Sequence, residues 1–107
     1  MIFSYVARAR PKRGMEQMVQ AGMQAFAEFM ATQPGLLSLH FLKDSENREL
    51  VGISFWERKE DWQTAMGLSM QARQAESHNE IVADPLAAAL ERPLEAHEYE
   101  VIWERRK

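Results

Sequence analysis

The chain has 107 residues, 46% hydrophobic and 27% charged, with a formal net charge of −3 and no cysteine. That is the composition of one ordinary globular domain, expected to span residues 1–107. The acidic balance argues against a nucleic-acid partner, and the absence of thiols excludes a disulfide framework, a thiolate nucleophile and a cysteine metal site.

No apolar run reaches the length of a membrane span, and Arg8 interrupts the N-terminal stretch before a signal-type apolar region forms. No membrane contact is expected, and the cytoplasm is the expected location. A domain this small buries only about two-thirds of its unfolded surface, so self-association would add useful burial.

The first predicted element is a strand over Ile2–Arg10, ended by Pro11, which lacks the N–H a ladder needs. Met15–Ala31 is the clearest helix: Met15, Met18, Val19, Gly22, Met23, Phe26, Phe29 and Met30 recur at helical spacing on one face. Thr32-Gln33-Pro34-Gly35 stops it.

A hairpin follows, with Asp44–Asn47 as its loop. Simple alternation puts Leu37, Leu39 and Phe41 with Val51, Ile53 and Phe55 on one apolar face. The other face then carries Leu36, Ser38, His40, Leu50, Gly52, Ser54 and Trp56, and its small and polar residues suggest a ligand pocket. In that register Ser38 approaches Ser54.

Glu57–Asp61 opens a second helix, with Trp62, Ala65, Met66, Ser69 and Met70 on its inner face. The helical pattern runs on to Leu90 with a break expected near Asp84, ahead of Pro85. The last predicted strand is His97–Arg105, with His97, Tyr99, Val101 and Trp103 alternating against an acidic set.

The order β-α-β-β-α-β is the α+β, ferredoxin-like plan: an antiparallel sheet with helices on one face. Its other face is apolar in part and must be buried by something. A second copy of the chain is the simplest cover, giving a homodimer, with Trp103 expected at the interface.

VARARPKRG, QPGLLSLHFLKD and VGISFWERKEDWQTA together resemble the antibiotic biosynthesis monooxygenase (ABM) family over nearly the whole chain. The matching features are Pro34-Gly35 before the strand, Trp56-Glu57 at a strand end, and Trp62 six residues after Trp56. The resemblance implies a dimeric α+β barrel with a pocket between sheet and helices in each subunit. It also implies monooxygenase chemistry on a small aromatic, quinol or polyketide-like substrate without metal or flavin. Trp56 and Trp62 match positions where the polyketide-oxidising branch places pocket aromatics, whereas Gly52 stands where that branch has an amide. The haem-degrading branch has an Asn on the first strand, where this chain has Ser4 and Val6. It also has a helical Trp near Ala65 and a His near His78.

The expected site is therefore His78 and His40 as proton acceptors, with Trp56, Trp62, Ser38, Ser54, Ser4 and Met66 around the substrate. Each has a plainer reading. His78 is also placed as a half-buried helix histidine bonded to a carbonyl, and His40 as a surface or interface residue. Trp56 and Trp62 are equally placed as core at the strand-to-helix corner. Arg8, Arg10, Lys12 and Arg13 read as a solvated strand exit or as the mouth of an anionic-substrate site. His40, His78 and His97 lack metal-ligand spacing, so no metal is expected. No cofactor is expected; haem held by His78 is the alternative, and a non-catalytic dimeric module that binds a small apolar ligand is another.

Overall fold

The computed structural model describes residues 1–76 and 85–106. The elements are β1 (Phe3–Ala9), α1 (Glu16–Met30), β2 (Leu36–Asp44), β3 (Glu49–Trp56), α2 (Lys59–Glu76), α3 (Pro85–Ala88) and β4 (Glu95–Glu100). The four strands form one antiparallel sheet in the order β2-β3-β1-β4. This is the expected α+β, ferredoxin-like architecture, with the short α3 added before the last strand. Helix resumes at Pro85, where proline suits a first turn because its missing N–H would have no partner anyway. Among the described residues no helix is long and apolar enough to cross a membrane.

The helices cover one face of the sheet. Two clusters of buried side chains fill the space between. Phe3 and Trp56 from the sheet meet Met30 of α1 and Ala65 of α2. Ala9 and Leu50 meet Val19 of α1 and, beyond α3, Ala89 and Leu90. Met18 and Met70, both expected inside, are 50% and 57% exposed, because they sit at the margins of their helices' apolar faces.

One irregularity decides the β2 face assignment. Leu36 opposes Trp56, but Ser38 opposes Phe55, so β2 advances two residues where β3 advances one. Leu37 is the extra residue of a β-bulge. From there Leu39 opposes Ser54, His40 opposes Ile53 and Phe41 opposes Gly52. Directly paired residues share a face. Leu39 and Phe41 therefore turn toward the helices, and Ser38 and His40 turn away, the reverse of simple alternation. The expected approach of Ser38 to Ser54 does not occur.

The hairpin closes with Asp44 opposite Glu49, so its loop is 45–48, one residue later than expected. The Asp44 carboxylate organises it, accepting from the Glu46 and Asn47 backbone N–H groups and the Asn47 side chain at 3.0, 3.2 and 3.1 Å. Those bonds favour the anion and hold the Asp44 carboxyl below its ordinary range.

At the other end of β2, Gly35 has φ 88° and the Asp61 side chain lies where a Cβ would stand, so only glycine fits. β4 begins at Glu95 and ends at Glu100, shorter at its C-terminal end than the expected His97–Arg105. Its partner β1 starts at Phe3, and after the Val101 N–H bonds the Ile2 carbonyl at 2.9 Å the chain has run past its template.

The segment between α3 and β4 is clasped to the hairpin. Arg48 donates to the Pro11 carbonyl and to Glu91, each at 2.8 Å. Arg10 lies 3.6 Å from Glu91, and Arg92 donates to Glu49 at 2.8 Å. Arg8 stands 3.8 Å from the same Glu49. Arg8 and Arg10 of the basic cluster thus serve this network rather than an open anionic mouth.

Candidate functional site

A cavity of about 340 Å³ lies between the helical layer and the sheet. Its floor is the helix-facing side of three strands: Tyr5, Ala7 and Ala9 of β1, Leu39 and Phe41 of β2, Gly52 and Ser54 of β3. α1 contributes Val19, Gly22, Met23 and Phe26, α2 contributes Met66, α3 contributes Ala87, and the clasped segment adds Leu90, Pro93 and Leu94. The space persists because Ala7, Gly22 and Gly52 put little or no side chain where neighbouring positions carry large ones. Its size and apolar lining suit a small organic ligand, for which pockets run from about 300 Å³ upward.

Two hydroxyl-bearing residues interrupt that lining, Tyr5 and Ser54, direct partners in the β1–β3 pairing. Ser54 Oγ accepts from the Trp56 indole N–H at 3.0 Å. Its own proton is donated to the Tyr5 carbonyl at 3.4 Å, longer than a good O–H···O bond. Burial, and secondarily the Glu98 carboxylate, push the Tyr5 phenol above its ordinary value. Glu98 opposes Tyr5 on β4 and pairs with Lys59 of α2 at 3.6 Å. Tyr5 is thus a neutral hydrogen-bond donor at any pH near 7. Its ring packs against Trp62 with centroids 4.8 Å apart, and Trp62 also meets Phe3 at 5.1 Å.

The expected site residues separate into groups. Ser54 and Met66 line the cavity. Trp56 is 1% exposed and sits in the core beneath it, and Trp62 backs Tyr5; neither forms a wall. Ser4 opposes Phe55 and Tyr99, which puts it, though buried, on the face away from the helices. Ser38 and the exposed His40 are on that same face. His78 lies outside the described residues. No described imidazole faces the cavity, since His97 opposes Val6 on the far side. Among the described residues no group of three or more His, Asp or Glu side chains is placed to hold a metal ion. Sequence reasoning missed Tyr5, Phe26 and Phe41. Alternation along β1 places Tyr5 on the Phe3 face, but Phe41 needed the bulge.

The fold and this cavity define a small α+β protein with an apolar chamber between its sheet and its helices. The chain belongs to the antibiotic biosynthesis monooxygenase family, whose model matches residues 2–77. Among solved structures it is similar to Rv0793 from Mycobacterium tuberculosis, with a TM-score of 0.79 at 15% identity over 99% of this chain and 100% of that one. It is also similar to SnoaB, a cofactor-independent oxygenase from Streptomyces nogalater, with a TM-score of 0.74 at 17% identity over 99% and 98% of the two chains. A conserved protein from Methanosarcina mazei gives a TM-score of 0.73 at 14% identity over 92% and 91%. At such identities the likeness speaks for the fold. No curated protein matches the sequence.

Proposed function

We propose that this chain is a monooxygenase that works without a cofactor on a small aromatic, quinol or polyketide-like substrate held between sheet and helices. The observation that carries the reading is the cavity: an apolar chamber with Tyr5 and Ser54 on its floor. Family membership and the fold shared with a cofactor-independent oxygenase support it.

In this reading the substrate's ring lies among Phe26, Met23 and Met66, and its phenolic or enolic oxygen meets the Tyr5 and Ser54 hydroxyls. Two donors aimed at that oxygen stabilise its anion and lower its pKa. The proton leaves to solvent. His40, on the far face, takes no part. The anion gives one electron to dioxygen, and the resulting radical and superoxide combine to form a carbon–peroxide bond. Loss of water from the protonated peroxide leaves a carbonyl: a CH₂ group and O₂ become C=O and H₂O. The chain orients the ring and excludes water.

The working form is proposed to be a homodimer built on the far face of the sheet. Val6, Ile53, Phe55 and Tyr99 lie there, among the described residues with no helix over them, and Leu42 and Tyr99 are about half exposed. A groove of about 550 Å³ beside Phe55 and Leu37 is flanked by Trp103, which is 73% exposed.

The test is oxygen uptake by purified protein, stripped of metals and flavin, over a panel of anthrones, naphthols and hydroquinones. Turnover that places one atom of labelled dioxygen in the product is expected. Saturable binding of panel members with no oxygen uptake would overturn the enzymatic reading and leave a ligand-binding module.

A further inference from the structure

The inner cavity is one of two spaces that meet at Phe41. A second recess, of about 330 Å³, lies farther along β2 toward the hairpin, and Met23 and Phe41 are walls of both. Gly52 makes this partition. A Cβ there would stand 3.0 Å from Phe41 Cε1 and 3.8 Å from Met23 Cε. Without one, the ring settles onto the β3 backbone and divides the space.

The two sides differ in chemistry. The inner chamber offers hydroxyls and no charge. The outer recess is lined by Gln20 and Gln24 of α1 and by Lys43, opposite Leu50 on the β2–β3 ladder. None of its walls is acidic. Among the described residues no carboxylate pairs with Lys43, while Arg8, Arg10, Arg48 and Arg92 near this end of the sheet are committed to Glu49 or Glu91. An ammonium with three donors beside two amide groups is a receptor for an anion.

Resting on the reading that the inner chamber takes an aromatic ring, we propose that the ligand has two parts. The ring system fills the inner chamber, and an arm ending in a carboxylate crosses Phe41 into the recess, where Lys43, Gln20 and Gln24 hold it. Lys43 is then a specificity residue: it selects aromatic acids over their uncharged analogues and touches no reacting atom.

The test uses two fluorescent probes with one skeleton, anilinonaphthalene sulfonate and the uncharged N-phenylnaphthylamine, the sulfonate standing in for the carboxylate. The sulfonate is expected to bind about fivefold more tightly, the size of one partly exposed ion pair, and to lose that advantage with added salt. Lys43→Gln is expected to abolish the preference and leave the uncharged probe's affinity unchanged. Equal affinities in the native chain, or a preference that survives Lys43→Gln, overturn the two-part site. Ala7→Phe, which fills the inner chamber, should weaken both probes; Met66→Trp fills it from α2 should the first variant fail to fold. Probes indifferent to both fillings would instead remove the inner chamber as the ring site, and the two-part proposal with it.

Discussion

The indole nitrogen of Trp56 donates to Ser54 Oγ at 3.0 Å, two residues back on the same face of β3. The bond ties the core to the cavity floor. It satisfies a donor on a side chain that is 1% exposed, and it orients the hydroxyl that a ligand oxygen would meet.

Ser54→Ala strands that indole N–H in an apolar core. The expected loss is about 1–3 kcal/mol of unfolding free energy, read from denaturant midpoints. Combining it with Trp56→Phe, which removes the donor, should cost less than the two single losses added together. Strict additivity would show that the bond is worth nothing.

Tyr5 is raised above the ordinary phenol value near about 10. The sign follows: the folded state holds the proton longer than the unfolded chain does. The stabilisation is full below the unfolded value and is lost as pH climbs through the folded one. With Tyr99→Phe, leaving Tyr5 as the single tyrosine, an ultraviolet titration should show a phenol that ionises later in the folded protein than in urea. Glu98→Gln should bring that ionisation somewhat lower, since the carboxylate is the secondary cause. Tyr5→Phe should keep the fold and cut kcat by about a hundredfold, as for loss of one positioned donor.

Trp62 stands behind Tyr5 and against Phe3. Trp62→Ala should cost about 3 kcal/mol of stability and lower turnover by loosening the Tyr5 ring, with the dimer retained. Unchanged turnover in the folded variant would remove Trp62 from the site.

Phe55→Lys places a charge at the centre of the uncovered sheet face. Sedimentation should show monomers where the native chain is expected to give dimers. A native chain that sediments as a monomer would refute the proposed interface directly.

Gly35→Ala forces a side chain into a left-handed backbone already covered by Asp61. A loss of more than about 1–2 kcal/mol is expected, from the backbone conformation and the displaced carboxylate together.

Order and type of elements were legible because hydrophobic period is a local property. The 3.6-residue spacing of Val19, Met23, Phe26 and Met30 made α1, and the alternation of Phe3, Tyr5 and Ala7 made β1. Proline and glycine at 34 and 35 marked the turn because proline does not continue a helix and Gly35 takes the positive φ there. The uncovered apolar sheet face was also legible, since helices placed on one side leave the other bare.

The contents of the cavity belonged to the tertiary structure. One bulge at Leu37 exchanges the faces of the β2 residues beyond it, bringing Leu39 and Phe41 under the helices and turning Ser38 and His40 outward. Period-two alternation has no local sign of such an insertion, because the extra residue is identified only by what it fails to pair with across the ladder. Trp56 and Trp62 were in plain view in the sequence, yet whether an aromatic lines a cavity or fills a core depends on what packs over it. The space itself exists where Ala7, Gly22 and Gly52, far apart in the chain, come together.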